Sequence, residues 1–95
     1  MNTAREVIDL KDSVELMNSA DYKERFLAEY AQLSYRLGKL ETMMYAWRNN
    51  KLEFTPTCPY STYELQVRAM KDYKAVLEAR AKMEGIDTNA IYKAD

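Results

Sequence analysis

A continuous apolar stripe runs through residues 26–47, FLAEYAQLSYRLGKLETMMYAW, at alternating spacings of four and three residues. Its members are Phe26, Tyr30, Leu33, Leu37, Leu40, Met44 and Trp47. This spacing places large apolar side chains on one face of an α-helix. No proline interrupts the stripe, so it predicts one helix of roughly 28 residues, about 42 Å long at a rise of about 1.5 Å per residue. Such a helix needs a second long helix, another copy of itself, or both, to cover its apolar face.

The residues on either side of the stripe set the limits of this first long helix. Asp21 is a candidate N-cap, with Ser19 as the alternative. Asn49 and Asn50 favour the left-handed backbone that ends many helices. We therefore predict a helix over residues 22–49. Residues 50–60 follow as a loop that contains both prolines of the chain. A loop of about ten residues makes its flanking helices antiparallel neighbours.

A second long helix is predicted over residues 59–84 or 61–84. Ser61 and Glu64 have capping-box spacing, and Gly85 is a typical C-terminal stop. The predicted inner stripe of this helix consists of Tyr63, Gln66, Met70, Tyr73, Leu77, Arg80 and Glu84.

Two polar members, Gln66 and Arg80, interrupt that second stripe. A buried Gln can fix the register of two helices, and a partly buried Arg can bind a carboxylate or a phosphate through two hydrogen bonds. The alternative for Arg80 is an ion pair with a glutamate of the facing helix, without any ligand.

Shorter segments flank the two long helices. A short amphipathic helix is predicted over residues 4–17, because apolar residues recur there at helical spacing. The tail is predicted to be irregular, with Ile91 and Tyr92 available to dock. The chain thus reads as one all-α domain with an N-terminal extension, a hairpin and a tail, over residues 1–20, 21–86 and 87–95.

Composition excludes several classes of function. The chain has 14 basic and 15 acidic residues, a balance that argues against binding to polymeric nucleic acid. It has no histidine and one cysteine, Cys58, so an internal disulfide, a Cys/His zinc site and His-dependent catalysis are excluded. No apolar run is long enough to span a membrane, and the N-terminus lacks a signal-peptide core. We expect a cytoplasmic protein with no catalytic residues, metal or cofactor.

The eight tyrosines are the most distinctive part of the composition. A tyrosine ring has an apolar face and a polar tip, which suits both interfaces and stacking on nucleobases. Tyr30 and Tyr73 lie on the predicted stripes and are expected in the core. The others lie at helix ends or off the stripes, where an interface role is as plausible as a core role.

One cluster of the first helix combines aromatic and cationic side chains around Gly38. Tyr35, Arg36 and Lys39, with Tyr22 at the start of the helix, are the candidate ligand-binding residues. A tyrosine could stack on a base while Arg and Lys bind phosphates. Gly38 would permit the close approach of a ligand or a second backbone, although a helix can also simply tolerate a glycine. The alternative is that these side chains form surface or interface contacts only.

Large apolar residues also occur outside the two stripes. They are Leu27, Met43, Leu65, Val76 and Met83. A single hairpin cannot cover all of them, and exposed apolar area of this size is comparable in free energy with the whole stability of a small domain. We therefore expect the protein to form a homo-oligomer.

Residues 21–86 resemble a family of small phage and prophage proteins whose members are known only as relatives of a crAss-like phage protein. The resemblance rests on the run FTPTCP at residues 54–59. It rests also on Leu65, Gln66, Met70, Tyr73, Leu77, Glu78, Arg80, Glu84, Gly85 and Ile86. In size and predicted shape, the chain also resembles the phage anti-CBASS and anti-Thoeris sponges. Those are short helical hairpins that oligomerise and sequester cyclic nucleotides.

These resemblances imply a function in conflicts between phages and bacteria. The leading hypothesis is a non-enzymatic anti-defence protein of an infected or lysogenic bacterial host. It would sequester a nucleotide-derived immune signal, either a cyclic oligonucleotide or an ADP-ribose derivative, between protomers. The alternative is a small helical module that binds a host or phage protein.

Overall fold

The computed structural model describes residues 6–93. Within them, two long helices pack as a hairpin, preceded by a short helix and followed by a docked tail. The elements are helix α1 at Val14–Met17, helix α2 at Tyr22–Arg48 and helix α3 at Tyr60–Glu84, with 3-10 turns at Leu10–Ser13 and Thr88–Ile91. The predicted all-α helical hairpin is confirmed. None of the helices in the described part of the chain has the length and apolar content needed to cross a lipid bilayer.

Helix α2 forms as its sequence predicts. The Asp21 side chain accepts a hydrogen bond of 2.9 Å from the backbone N–H of Lys23, which caps the first turn. Asn50 has a φ of 56° and takes the left-handed conformation just after the helix ends. Five members of the apolar stripe are buried, namely Phe26, Tyr30, Leu33, Leu37 and Met44, and Leu40 and Trp47 are half-buried.

The face of α3 that packs against α2 differs from the predicted stripe at three of its seven positions. Gln66, Tyr73 and Arg80 are exposed, so the prediction that they belong to the buried inner stripe is wrong. The observed inner face consists of Tyr63, Val67, Met70, Lys74, Leu77, Ala81 and Glu84. This set keeps the heptad spacing but takes the residue after each mispredicted one.

The shift has a physical cause in Tyr73 and Lys74. Because Tyr73 is large and apolar, the sequence pattern favoured Tyr73 over Lys74 for the inner face of α3. The Lys74 stem instead packs inward, and its Nζ lies 5.7 Å from the centroid of the Tyr30 ring. A lysine can cover apolar surface with its methylene groups while its ammonium group stays near water. Tyr30 is 3% exposed, as predicted, whereas Tyr73 is 44% exposed.

A proline precedes α3 and a left-handed glycine ends it. Pro59 precedes the helix with a φ of −60°, and no side chain caps the first turn, so the predicted capping box of Ser61 and Glu64 does not form. Gly85 ends the helix with a φ of 70°, as predicted. The N–H of Ile86, which is buried, then donates to the Ala81 carbonyl at 2.9 Å.

Arg80 makes its ion pair on its own helix. Its Nε lies 3.0 Å from Glu84 Oε2, one turn away, rather than near a glutamate of α2. Its guanidinium carbon lies 5.0 Å from the centroid of the Phe26 ring. Arg80 is therefore a contact between the helices and shows no sign of a ligand site.

The N-terminal segment and the tail stabilise each other. The predicted helix over residues 4–17 is shorter than expected, because Val7 is extended and forms an antiparallel bridge with Tyr92. The Ile8 N–H donates to the Ile91 carbonyl at 2.9 Å. Ile91 is fully buried and belongs to the main core, so its predicted docking is confirmed, while the prediction of an irregular tail is wrong. Pairing satisfies backbone groups that a helix would otherwise have bonded. Residues 1–5 lie outside the described part.

Candidate ligand-binding groove

A groove lies between the C-terminal half of α2 and the N-terminal half of α3. Its volume is about 740 Å³. We call it the Arg68 groove. Its polar lining includes Arg48, Arg68, Lys71, Glu41, Glu64, Asp72 and Tyr60, and its apolar lining includes Met44, Leu65 and Val67. A groove of this size lies within the range of roughly 300–1,000 Å³ that holds small organic ligands.

Helical spacing brings the polar lining together. Glu41 and Arg48 lie two turns apart on one side of α2. Glu64, Arg68 and Asp72 follow at four-residue intervals on α3, so their side chains project from one side of that helix. Because the helices are antiparallel, the two rows face the same concave surface.

Arg68 is the cation of the groove that is best placed to accept a ligand. Lys71 Nζ lies 3.4 Å from Glu41 Oε2, but both side chains are about half-exposed, so water screens this pair. Arg68 makes no ion pair within residues 6–93, although Glu64 and Asp72 lie one turn away on either side. Its guanidinium is therefore available for two parallel hydrogen bonds to a phosphate or a carboxylate.

An ordered aromatic ring forms one end of the groove. Arg48 Nη1 donates a hydrogen bond of 2.9 Å to the Tyr60 hydroxyl. The Tyr60 ring also meets Trp47 edge to face, with centroids 5.0 Å apart and an angle of 75° between the planes. Tyr63 contacts Trp47 in the same manner at 5.9 Å. These contacts hold Tyr60 in place on a half-buried aromatic cluster, so its ring needs little further ordering to stack on a ligand.

The structure brings together only some of the sequence-predicted site residues. Lys39 Nζ lies 5.4 Å from the centroid of the Tyr35 ring, so these two form a cation–π pair. Tyr22 is exposed and lies about 20 Å away from Tyr35 along α2, given a rise of about 1.5 Å per residue. Arg36 lines a different, smaller groove. No structural finding tests whether these residues bind a ligand, so that assignment stays a prediction.

Gly38 lies at an open position on the helix surface. Apart from the two adjacent residues and the backbone of its own helix, no atom of the described chain would lie within 4 Å of a Cβ added to this glycine, so no packing contact requires a glycine here. The space above it is free for a ligand or for another copy of the chain.

The sequence alone does not reveal the Arg68 groove. Arg48, Arg68 and Lys71 are interspersed with acidic residues, and no local motif separates them from other surface charges. Two features of the sequence pointed to it. Arg48 and Tyr60 flank the loop, and Glu64, Arg68 and Asp72 recur at four-residue spacing on α3. These features indicate a common groove only when the register of α3 against α2 is known.

Metal chemistry finds no support in the arrangement of the described residues. Across residues 6–93, no three His, Cys, Asp or Glu side chains are grouped so that they could hold a metal ion. Cys58 is free and exposed in the loop between the long helices.

Comparison with known proteins identifies the family. A protein-family model described as Sequestin matches residues 20–83 of the 95 in the chain. The chain belongs to the Sequestin family. The part matched to Sequestin contains all of α2, the loop and nearly all of α3, and therefore every residue that lines the Arg68 groove. Helix α1 and the tail lie outside the match to Sequestin. Searches of curated proteins and of solved structures found no match.

Proposed function

We propose that this Sequestin is a phage-encoded anti-defence protein that sequesters a small nucleotide-derived immune signal in the Arg68 groove. The observation that carries the proposal is the unpaired guanidinium of Arg68 in a groove of about 740 Å³ that ends at the Tyr60 ring. The groove thus offers an anion-binding group and an aromatic surface to one ligand. The name Sequestin is consistent with such a role.

The proposed contacts follow from the chemistry of each side chain. Arg68 and Lys71 bind the phosphates, and the Tyr60 ring stacks on a base. Glu64 and Asp72, which make no ion pair in the described chain, accept hydrogen bonds from base N–H or ribose hydroxyl groups. A groove with equal numbers of cations and carboxylates suits a ligand that carries donors as well as phosphates. It suits inorganic phosphate less well.

A second copy of the chain would close this open groove. The outer surface of α3 carries Leu65, Ala69, Val76 and Met83, which follow at spacings of four, seven and seven residues; we call them the outer stripe. Leu65, Val76 and Met83 are 63%, 57% and 78% exposed. Regular spacing of exposed apolar residues is typical of a helix that packs against a partner. Leu65 belongs to both the outer stripe and the groove, so a partner on the stripe would border the ligand.

Binding without chemical conversion is part of the proposal. The sequence contains no histidine to act as a general base near neutral pH. Its one cysteine does not line the groove. Sequestration in the bacterial cytoplasm would therefore depend on affinity and on protein concentration alone.

Calorimetric titration with a panel of ligands tests the proposal. The panel contains cyclic dinucleotides, cyclic trinucleotides and cyclic ADP-ribose derivatives. We expect at least one to bind with a Kd of micromolar or lower, and to be recovered with unchanged mass after heat denaturation of the complex. Absence of binding across the panel, or recovery of a cleaved product, would contradict the proposal.

The second candidate function is a protein-binding module, and the outer stripe favours it. An exposed apolar stripe on a helix can fit a groove of a host or phage protein as readily as a second copy. In that case, the panel would give no binding, and the purified protein would be monomeric. Both measurements would then depart from the expectation for a sponge.

A further inference from the structure

A second groove lies between α2 and α3, nearer to the short helix α1. Its volume is about 270 Å³, and it shares no lining residue with the Arg68 groove. We call it the Tyr73 groove. The lining residues that matter for its chemistry are Arg25, Glu29, Gln32, Leu33, Arg36 and Tyr73.

The charge of the Tyr73 groove differs from that of the larger groove. It has two guanidinium groups and one carboxylate, Glu29, among its lining residues, whereas the Arg68 groove has three cations and three carboxylates. An excess of positive charge in a concave surface favours a bound anion. The smaller groove is therefore the more electropositive of the two.

The two arginines lie on the same side of α2 but not close together. Arg25 and Arg36 are eleven residues apart, which is about three turns or about 16 Å along the helix, so one phosphate can contact only one of them. Arg25 Nη1 donates to the Ser19 carbonyl at 2.7 Å, which fixes the guanidinium and leaves its other N–H groups available. Arg36 makes no ion pair within residues 6–93, so its whole guanidinium is available.

An aromatic ring and a fixed amide complete the lining. Tyr73 is 44% exposed on α3, while Leu33 of α2, also in the lining, is buried. The Gln32 amide nitrogen donates to Ser13 Oγ at 2.9 Å, which holds this side chain and leaves its carbonyl oxygen as an acceptor. A partly exposed tyrosine and an unpaired guanidinium in one groove are the combination that binds a base and its phosphate.

We infer that the Tyr73 groove is a second ligand site, which binds a single nucleoside monophosphate unit. The base stacks on Tyr73 and Arg36 binds the phosphate, while Arg25 only adds positive charge to the groove. The volume of about 270 Å³ falls just below the usual range of roughly 300–1,000 Å³ for small-molecule sites, so it suits one nucleotide rather than a cyclic oligonucleotide. The site does not depend on the Arg68 groove, and it goes beyond the proposed sequestration there.

The test is an NMR titration of the full chain labelled with ¹⁵N, with AMP as the probe. Adenosine and ribose 5-phosphate serve as matched probes, since one lacks the phosphate and the other lacks the base. We expect AMP to shift the side-chain Nε–H signal of Arg36, and each partial probe to bind at least about fivefold more weakly. A site built from stacking and bidentate contacts should lose about fivefold in affinity when the probe lacks either the base or the phosphate. Equal affinity for AMP and ribose 5-phosphate would overturn the inference, because only a non-specific attraction for anions would remain.

Substitutions locate the site and separate it from the larger groove. Arg36→Lys keeps the charge and removes the bidentate geometry, and Tyr73→Leu keeps apolar bulk and removes the ring. Each should weaken AMP binding at least about fivefold, whereas Arg68→Gln should leave it within about twofold. All three side chains are exposed, so the fold should tolerate these changes. Unchanged binding in Arg36→Lys and Tyr73→Leu would overturn the inference, and loss in Arg68→Gln alone would place AMP in the larger groove.

Discussion

Arg48 Nη1 donates a hydrogen bond of 2.9 Å to the hydroxyl of Tyr60, and this contact joins the last turn of α2 to the first turn of α3. Tyr60 in turn packs edge to face on Trp47. The two helix ends that flank the loop are thus linked by a polar contact and by an aromatic one. Both Arg48 and Tyr60 line the Arg68 groove, so the contact that closes the hairpin also builds a wall of the candidate site.

Leu37→Ala should destabilise the protein strongly. Leu37 is 4% exposed in the interface of the long helices, and removal of a buried Leu side chain costs about 2–5 kcal/mol. Urea unfolding measures the change. Gln66→Ala is the control for the register of α3, because Gln66 is exposed, and we expect a change below about 0.5 kcal/mol. A small loss for Leu37→Ala or a large one for Gln66→Ala would contradict the observed packing.

Stability should fall at alkaline pH through Tyr30. Burial, and then the hydrogen bond of 2.5 Å that Tyr30 donates to Glu78, raise the pKa of the Tyr30 hydroxyl above its ordinary value of 10.0. The protonated tyrosine is therefore favoured in the folded state. The contribution of Tyr30 to stability is complete below the pKa that this tyrosine has in the unfolded chain, and it is lost as pH rises above about 10.

Tyr30→Phe tests this linkage by urea unfolding between pH 8 and 11. Phenylalanine cannot ionise, so the free energy of unfolding of the variant should decline less steeply above about pH 10 than that of the original chain. All other ionisable groups are the same in both proteins, so the difference between the two curves isolates Tyr30. Parallel curves would show that Tyr30 has no part in the alkaline loss.

Self-association should depend on the outer stripe. Val76 is 57% exposed in the middle of that stripe, and a charge there would be buried by a partner chain. Val76→Lys should therefore shift the protein towards a monomer of 11.1 kDa in light scattering at micromolar concentration. Ala75→Lys adds the same charge beside the stripe and should leave the oligomer intact. A monomer before any substitution would disprove self-association.

Tyr35 and Lys39 provide a test between two positions for the ligand. If the Arg68 groove is the site, Tyr35→Ala and Lys39→Ala should each leave the nucleotide affinity within about twofold, because neither residue lines that groove. If the pair itself holds the ligand, each change should weaken binding by about 1 kcal/mol or more. Calorimetry with a ligand from the panel separates the two outcomes, provided that light scattering shows the same oligomer in each variant.

Much of the fold could be predicted because its signals are local. The α2 stripe, the Asp21 cap and the Gly85 stop each depend on residues a few positions apart, and all three appear in the structure. The inner face of α3 could not be predicted as easily. Its choice between Tyr73 and Lys74 depends on how a lysine stem packs against Tyr30 of the other helix.

The candidate groove was harder to predict for the same reason. Arg48 and Arg68 are twenty residues apart in sequence, and only the pairing of the two helices brings them to one surface. The pairing of Val7 with Tyr92 is likewise a contact between distant residues. Helical periodicity reports which residues share a face, but it does not report which faces of two helices meet.

Arg68→Gln, compared with Lys82→Gln, tests the central claim most directly. Both substitutions remove one positive charge from α3, but only Arg68 lines the groove. In calorimetry with the tightest ligand of the panel, we expect Arg68→Gln to weaken binding at least about tenfold, which is about 1.4 kcal/mol and close to one charge-assisted hydrogen bond. Lys82→Gln should change the affinity less than about twofold, since a distant surface charge is screened by salt. Equal effects of the two substitutions, or full affinity in Arg68→Gln, would contradict the assignment of the ligand to this groove.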